Sequence, residues 1–496
     1  MFEFAEVGQQ IDKETYKTQL PELREALLEA QLDLFQTARF PVLILIGGID
    51  GAGKGETVNK LNEWMDPRHI GTYAFDEQPS NEELLRPAMW RYWRAMPPKG
   101  QISIYFGSWY RALLLRHTRG EISDTELMQH MDGIVRFERM LVDEGVLLLK
   151  FWLHLSKDLQ KERIEKLESS PKTRWRVTSE EKKGLKHYDD FKRAACMSLQ
   201  ATSLVEAPWT IVEGFDANYR NLTVGLHILK AMRERLDHPE KVPREFSVSP
   251  LLKAIDHVNP LERLDLGLKL DNKTYDTKLE QLQGKLNKLT RRPGFRKRGL
   301  ICVFEGVDAA GKGGAIRRIT QAIDSRIYRI IPISAPTDEE LAQPYLWRFW
   351  RRIPPRGKIA IFDRSWYGRV LVERIEGFCK EYDWMRAYGE INDFEAQLVK
   401  QGYLVAKFWL QITPEEQLQR FEQRQNTPYK RFKITDEDWR NRDKWDNYQA
   451  AAHDMVDRTS TEIAPWTLVE ANDKNHARIK ILKTLCEMIE KSIQAA

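Results

Sequence analysis

The chain has 496 residues and a formal net charge of +5; 42% of its residues are hydrophobic and 30% are charged. At about 100–250 residues per domain, this length predicts a globular protein of two or three domains with sizeable cores. The mild positive charge suits an anionic ligand but equally describes a solvated surface, so the charge by itself excludes no class of partner.

Local patterns exclude membrane and secreted proteins. The longest apolar runs, such as Val42 to Ile46, are much shorter than the ~18 residues that span a membrane. The N-terminus lacks the basic stretch and apolar core of a signal peptide. The cysteines are scattered without metal-type spacing: Cys196, Cys302, Cys379 and Cys486. We therefore expect a cytoplasmic protein with reduced thiols and no membrane partner.

The sequence repeats itself at long range. Trp109 in Gly-Ser-Trp-Tyr recurs as Trp366 in Arg-Ser-Trp-Tyr, 257 residues later. The same offset aligns three further blocks: 90–94 with 347–351, 151–153 with 408–410, and 207–210 with 464–467. We predict two related domains, copy one and copy two, joined by a linker with proline punctuation. Their predicted bounds are 1–240 for copy one, 241–265 for the linker and 266–496 for copy two.

In chain order, each copy predicts helices that alternate with strands. A helical pattern from Tyr16 to Ala38 opens copy one, and one from Tyr275 to Leu289 opens copy two. Apolar runs typical of buried strands follow in copy one at 42–48, 102–105, 146–153 and 209–212. Their partners in copy two lie at 300–306, 359–362, 403–410 and 466–469. This alternation predicts an α/β fold in tandem, each copy with a parallel sheet between helices.

The first strand of each copy continues into a glycine-rich loop. Copy two reads G-V-D-A-A-G-K from Gly306 to Lys312, and copy one has the same spacing from Gly48 to Lys54. The G-x-x-x-x-G-K pattern between a strand and a helix is typical of a phosphate-binding loop, although a plain glycine-rich turn is the alternative. Gly313 replaces the usual serine or threonine that binds Mg²⁺. The carboxylate of Asp308 is therefore a candidate Mg²⁺ ligand.

A second carboxylate ends another predicted strand of copy two. The apolar run 359–362 leads directly into Asp363 and Arg364. In P-loop enzymes a carboxylate at such a strand end binds Mg²⁺, and an arginine beside it would neutralise the transferring phosphoryl group. With Asp308, this predicts an oxygen-rich Mg²⁺ site. The alternative is that Asp363 is only a turn residue.

A basic segment follows in copy two, with these cationic residues: Arg420, Arg424, Lys430, Arg431 and Lys433. Arg420 and Arg424 share one face if the segment is helical. A lid that closes over phosphates is one interpretation, and a solvated basic face is the other. Upstream, Trp347, Phe349 and Trp350 either belong to the core or stack on a nucleotide base.

Together these blocks resemble the polyphosphate kinase 2 family. The matching segments of copy two are 306–313, 362–367, 420–433 and 464–474. The resemblance covers nearly all of 270–496 and, more weakly, 12–232. It implies a fold similar to thymidylate kinase and Mg²⁺-dependent transfer between inorganic polyphosphate and a nucleotide. Two-domain members look like polyphosphate:AMP phosphotransferases, so the resemblance implies AMP as acceptor and ADP as product.

The resemblance also implies which residues form the site. Catalytic roles fall on Asp308, Lys312, Asp363, Arg364 and Arg424, with the two aspartates holding the metal. Contacts to phosphate and nucleotide fall on Gly306, Gly311, Gly313, Lys430, Arg431 and Lys474.

Copy one lacks most of these residues. It keeps Asp50 and Lys54. At the positions of Asp363, Arg364, Arg424 and Lys474 it has, in that order, Phe106, Gly107, Leu167 and Ala217. A phenylalanine cannot bind Mg²⁺ and a leucine cannot bind phosphate. We therefore predict that copy one keeps the fold without the chemistry, and either docks against copy two or still binds phosphate through its loop.

Two other functions share parts of this pattern. An ATP-dependent nucleoside monophosphate kinase has the same loop, carboxylate and lid. A non-catalytic protein that binds polyphosphate or nucleic acid would need only the cationic residues. The complete aspartate and arginine set of copy two favours an enzyme without a nucleic-acid partner. The sequence leaves open the base preference, the direction of the reaction and whether the protein is a homo-oligomer.

Overall fold

The computed structural model of the protein describes residues 1–172, 174–177, 184–238, 259–428 and 431–494. Within these ranges the strands form two five-stranded sheets, and all their pairings are parallel. The strands of copy one are β1 Val42–Gly48, β2 Ile70–Ala74, β3 Ile102–Phe106, β4 Leu147–His154 and β5 Trp209–Glu213. Those of copy two are β6 Gly299–Gly306, β7 Tyr328–Pro332, β8 Ile359–Asp363, β9 Tyr403–Gln411 and β10 Trp466–Glu470.

The two sheets have the same topology. Their spatial orders are β2-β3-β1-β4-β5 and β7-β8-β6-β9-β10, so the strand before each glycine-rich loop is central. This confirms the predicted tandem α/β fold, and each of the eight predicted apolar runs forms a strand. The sequence did not predict β2 and β7, which lie at sheet edges and are mostly exposed or half-buried.

Helices separate the strands along the chain. In copy one they are α1 Lys13–Thr37, α2 Lys54–Trp64, α3 Asn81–Leu84, α4 Trp90–Arg94, α5 Arg111–Thr118, α6 Asp124–Asp143, α7 Lys157–Ser169, α8 Tyr188–Thr202 and α9 Ala217–Asp237. In copy two they are α10 Asn272–Arg291, α11 Pro293–Arg296, α12 Lys312–Thr320, α13 Asp338–Leu341, α14 Trp347–Trp350, α15 Val372–Glu376, α16 Glu381–Lys400, α17 Pro414–Gln425, α18 Asp436–Asp443, α19 Trp445–Thr459 and α20 Lys474–Gln494. In the part of the chain that the structure describes, no helix is both long enough and apolar enough to cross a bilayer.

The chain divides into two compact units. The first comprises Met1–Ser80, Arg91–Arg244 and Pro336–Arg348, and the second comprises Asn81–Trp90, Glu245–Ala335 and Phe349–Ala496. Most of the predicted linker 241–265 lies outside the described residues, so the domain boundaries drawn from the sequence stay a prediction.

The core of copy two lies on both faces of β6, because alternate residues of a strand face opposite sides. Leu300, Cys302 and Phe304 join a buried cluster with side chains from α10, α12 and α20. The aromatic residues of α14 are buried as well, with at most 5% of each side chain exposed. They therefore belong to the core, which excludes the alternative that they stack on a nucleotide base.

A buried ion pair fixes the turn that follows β8. The Nζ of Lys407 donates to the Oε2 of Glu395 at 2.7 Å and to the hydroxyl of Tyr367 at 2.9 Å. Tyr367 in turn donates to the Oε1 of Glu395 at 2.6 Å. Copy one repeats the pair with Lys150 and Glu138, also at 2.7 Å. Tyr110 donates to Glu138 Oε1 at 2.6 Å, so the same contact ties the turn to the ion pair in copy one. Removing one partner of such a buried pair costs about 3–5 kcal/mol.

Candidate active site

A cavity of about 520 Å³ opens at the carboxyl ends of β6, β7 and β8. In an open parallel sheet this is the edge at which ligands bind. The cavity is lined by all five residues that the sequence predicts to be catalytic and by two of the predicted phosphate-binding glycines: Asp308, Lys312, Asp363, Arg364, Arg424, Gly311 and Gly313. Residues that lie up to 116 positions apart in the chain thus meet in one place.

The structure places the other predicted contacts differently. Gly306 ends β6 at the base of the loop. Lys474 begins α20 and lines a second cavity of about 260 Å³, to which Arg424 also contributes. Arg431 is exposed on a 3-10 helix and lines neither cavity. Lys430 lies outside the described residues.

The loop of copy two folds back on itself through left-handed backbone positions. Gly306 has φ +142°, and a Cβ there would lie 2.6 Å from the carbonyl oxygen of Leu410, so only glycine fits. Lys312 then begins α12, and its Nζ donates to the carbonyls of Gly306 at 2.6 Å and Val307 at 3.3 Å. An ammonium group has three donors, and no partner for the third lies among the described residues. Burial lowers the pKa of Lys312, and the carboxylate of Asp308 opposes that shift.

Asp308 is held at three atoms. Arg364 Nη2 donates to its Oδ1 and Asn441 Nδ2 to its Oδ2, both at 2.9 Å. Gln417 Nε2 donates to its backbone carbonyl at 3.0 Å. Burial by itself would raise the pKa of Asp308, but Lys312 and Arg364 outweigh burial and hold that pKa below its usual range. The site therefore presents an ionised carboxylate of fixed orientation.

A further carboxyl group lies behind the loop. Glu305 precedes Gly306 on β6, is only 3% exposed, and accepts a hydrogen bond from the hydroxyl of Ser365 at 2.8 Å. Burial raises the pKa of Glu305, while the hydrogen bond from Ser365 opposes that shift. The contact ties the end of β6 to the residue two positions after Asp363. Copy one has Gly47 instead of Glu305, so this contact belongs to copy two alone.

Arg364 adopts a backbone conformation that favours glycine. Its φ is +63°, and φ is +63° at Ala309 in the loop as well. The corresponding residues of copy one are glycines, Gly107 at φ +74° and Gly51 at φ +84°. A non-glycine residue in this region carries a strain of about 1 kcal/mol or more, and such strain clusters at active sites and ligand-binding sites. Copy two has this strain at both positions, whereas copy one has glycine at both.

Of the two arginines on α17, only one is available to a ligand. Arg420 is 3% exposed, and its five donors go to Glu416 and to backbone carbonyls at 309, 310, 471 and 472. Since a guanidinium has five donors, all the donors of Arg420 are used, and they tie the loop to α17 and to the segment after β10. The interpretation of Arg420 as part of a lid that binds phosphate is therefore wrong, because its donors bind the protein itself. Arg424, one turn later, lines both cavities.

The corresponding loop of copy one is closed. Lys54 Nζ donates to the carbonyls of Gly48 at 2.8 Å and Ile49 at 2.9 Å, and to Asp50 Oδ1 at 2.9 Å. The cavity beside it measures only about 30 Å³ and is lined largely by apolar and aromatic side chains, Phe106 among them. The other predicted replacements are Gly107 after β3, Leu167 near the end of α7 and Ala217 at the start of α9.

Sequence reasoning missed several residues at the site. Arg317 and Arg318, on the helix after the loop, line the larger cavity, and Arg478 on α20 lines both. Their positions one or two turns into helices that begin at the site were a signal that could have been used. Asn441 gave no such signal, because it sits in a polar stretch without a motif.

The described residues contain no cluster of three or more histidine, cysteine, aspartate or glutamate side chains suited to hold a metal ion. The larger cavity nevertheless brings three carboxylates to the same space, Asp308, Asp363 and Asp438, with no histidine or cysteine in its lining. Asp438 accepts hydrogen bonds from Thr435 at the start of α18, whereas Asp308 follows β6 and Asp363 ends β8.

A parallel sheet whose central strand leads into a phosphate-binding loop, with aspartates and arginines around the same cavity, defines a phosphotransferase of the P-loop kind. The family model "Polyphosphate kinase 2 (PPK2)" matches residues 10–240 and, a second time, residues 269–495. The chain therefore belongs to the polyphosphate kinase 2 family, and both copies derive from that domain.

Relatives extend over the whole chain. The sequence is 57% identical to the polyphosphate:AMP phosphotransferase of Pseudomonas aeruginosa, with 99% of each chain covered. It is 39% identical to the polyphosphate:AMP phosphotransferase of Acinetobacter johnsonii, with 94% of this chain and 95% of the relative covered. A solved structure described as a polyphosphate kinase 2 of Pseudomonas aeruginosa PA01 superposes with a TM-score of 0.89 at 54% identity, covering 100% of both chains.

Proposed function

We propose that the protein transfers the terminal phosphoryl group of inorganic polyphosphate to AMP, giving ADP, and that copy two performs the transfer. The observation that carries the proposal is the contrast between the two loops. The cavity at the loop of copy two is lined by six lysine and arginine side chains, whereas the cavity beside the loop of copy one is small and the lysine of that loop has all three donors bonded. AMP as acceptor is supported by the name that the whole-chain relatives share.

Phosphoryl transfer needs positioning and charge neutralisation more than covalent help from the protein. We infer that the third donor of Lys312 binds an oxygen of the transferring group, beside the backbone N–H groups at the start of α12. Arg364 and Arg424 would neutralise the charge on the same group. An oxygen of the AMP phosphate, already ionised near neutral pH, attacks in line. The bond to the bridging oxygen breaks, and the shortened polyphosphate leaves with the electron pair.

We infer that Asp308 and Asp363 hold Mg²⁺. These two carboxylates line a cavity without soft ligands, which suits a hard cation that keeps several waters and takes its remaining ligands from phosphate oxygens. Gly313 offers no hydroxyl to the metal, which makes the carboxylates the main protein ligands. When bound, Mg²⁺ would neutralise charge on the phosphate oxygens.

The direct test is to incubate the protein with AMP and Mg²⁺, supply either polyphosphate or ATP as donor, and quantify ADP. We expect ADP with polyphosphate, and a rate at least ~10²-fold lower after chelation of Mg²⁺ that recovers when the metal is restored. In the ATP arm, radiolabelled AMP separates ADP made from AMP from ADP left by ATP. Labelled ADP from ATP alone would instead identify a nucleoside monophosphate kinase. Polyphosphate binding without turnover would identify a binding protein.

Arg364→Gly separates the chemical role of this arginine from its structural cost. We expect turnover to fall by ~10²-fold or more, since one electrostatic donor to the transferring group is lost. The free energy of unfolding should stay within about 1 kcal/mol of the parent, because relief of the strain at φ +63° offsets the lost ion pair to Asp308. Kinetics and thermal unfolding of the same preparation check both parts. Strong destabilisation would contradict the strain argument, and full activity would contradict the catalytic role.

A further inference from the structure

Asn441 lies on α18, apart in sequence from every motif of the site, yet it contacts the loop directly. Its Nδ2 donates to Asp308 Oδ2 at 2.9 Å. The helix that carries it is braced by the next residue: Arg442 Nη1 donates to the carbonyl of Pro414 at 2.7 Å and to Gln417 Oε1 at 3.1 Å. The amide is thus delivered to the carboxylate by a fixed element.

Copy one shows what the loop does without this amide and without Arg364, since glycines stand at both positions, Gly184 and Gly107. The residue of copy one that corresponds to Asn441 is Gly184. A Cβ there would lie 3.6 Å from Asp50 Oδ2, so in both copies the backbone at this position lies beside the loop aspartate. Asp50 is instead bound by Lys54 at 2.9 Å and Arg111 at 3.4 Å. All three donors of the loop lysine are then used within its own loop.

The backbone contacts of the two loop aspartates are the same. Gln160 Nε2 donates to the carbonyl of Asp50 at 2.9 Å, as Gln417 does to that of Asp308 at 3.0 Å. The copies therefore differ at the carboxylate and not at the main chain. In copy two, Arg364 and Asn441 take one carboxylate oxygen each, and no hydrogen bond or ion pair joins Asp308 to Lys312 in the part of the chain that is described.

We propose that Asn441 is a positioning residue that holds the Asp308 carboxylate off Lys312 and so keeps the third donor of the lysine available to a phosphoryl oxygen of polyphosphate. The proposal rests on the proposed function of copy two. Without the amide, Asp308 turns to the lysine, as Asp50 does in copy one. Polyphosphate must then compete with an internal ion pair for the ammonium group.

Three substitutions test this. Asn441→Asp keeps the shape of the side chain but replaces the donor with a carboxylate that repels Asp308. Asn441→Gly introduces the residue that copy one has at this position. Asn441→Gln retains an amide donor. We expect Asn441→Asp and Asn441→Gly to lower kcat/KM for polyphosphate by roughly 10–100-fold, the usual weight of a hydrogen bond to a charged group. Asn441→Gln should recover at least about a third of the parent value. Melting temperatures should match that of the parent in all three; if Asn441→Asp is unstable, Asn441→Gly decides.

Calorimetric titration with inorganic tripolyphosphate, without AMP, gives a second readout that does not depend on turnover. We expect affinity to fall by ~10-fold or more in Asn441→Asp and to return in Asn441→Gln. The positioning role is overturned if Asn441→Asp stays within about threefold of the parent in both assays. It is equally overturned if Asn441→Gln is as impaired as Asn441→Asp at an unchanged melting temperature. If the parent makes no ADP, the proposed function is refuted. The role of Asn441 is then tested by the affinities for tripolyphosphate alone.

Gly184→Asn in copy one is the matched control. The space beside Asp50 admits a side chain in ordinary contact, so the variant should fold. Because the lysine of copy one is outside the proposed catalytic machinery, we expect kcat/KM for polyphosphate to equal that of the parent. A change as large as that in Asn441→Asp would show that the effect is not specific to copy two, and would overturn the proposal.

Discussion

Asp363→Asn is expected to lower the rate of ADP formation by at least ~10³-fold while the protein stays folded. Asparagine has the shape of aspartate, so the end of β8 and its pairing with β6 should persist. The amide lacks the negative charge that a hard cation requires, and a ~10³-fold loss corresponds to about 4 kcal/mol of transition-state stabilisation. Initial rates measured across a range of Mg²⁺ concentrations check the result, and the loss should persist at saturating Mg²⁺.

Asp324→Asn is a suitable control for this experiment. Asp324 pairs with Arg326 on the surface at 2.6 Å and does not line the cavity. Such a pair contributes about 0–1 kcal/mol to stability, so its loss should leave turnover unchanged. If Asp363→Asn retains turnover within about tenfold of the parent, Asp363 does not hold the metal.

Much of the fold follows from short sequence patterns. Most of the eight predicted strands are buried over the greater part of their length, and β6 is buried along the whole of it, which explains why such runs stand out. The missed strands β2 and β7 have at most one buried residue each, so their sequences mix Gly, Thr, Arg and Pro with apolar residues. The predicted strands β5 and β10 also lie at sheet edges but end in two buried residues, so burial, and not edge position, separates the predicted strands from the missed ones.

The site divides in a similar way. Lys312 and Asp363 could be predicted because the loop and the strand end each have a pattern with a chemical reason. Glu305 could have been predicted, since a carboxylate in a buried apolar run is rare unless it is paired. Asn441 could not, because its partner lies 133 positions away and only the packing of α18 brings the two together.

The charged residues that copy one lacks predict that it is inactive. They leave open whether its loop binds phosphate. The donors of Lys54 address that question, since all three are already used. We therefore propose that copy one neither transfers a phosphoryl group nor binds phosphate through its loop.

Lys312→Ala and Lys54→Ala should consequently affect different properties, turnover in the first variant and stability in the second. Lys312→Ala is expected to lower turnover by at least ~10²-fold, because the donor to the transferring group is lost. Lys54→Ala should leave turnover within about twofold, but lower the free energy of unfolding by about 1–3 kcal/mol, because Asp50 loses its shorter ion pair and, among the described residues, keeps the longer one to Arg111. Steady-state rates and unfolding of both variants measure the two effects. Comparable losses of turnover in the two variants would show that copy one takes part in catalysis.

The stability effect of Lys54→Ala should depend on pH in a defined direction. Lys54 lowers the pKa of Asp50 to about 2, against burial and with help from Arg111. A folded-state pKa below the unfolded value of about 3.9 stabilises the protein above that value, and the stabilisation is lost as the pH falls through the folded pKa. The difference in unfolding free energy between the parent and Lys54→Ala should therefore be largest above about pH 5 and shrink towards pH 2. A difference that is constant over this range would mean that Lys54 stabilises copy one through its bonds to the loop carbonyls, and not through Asp50.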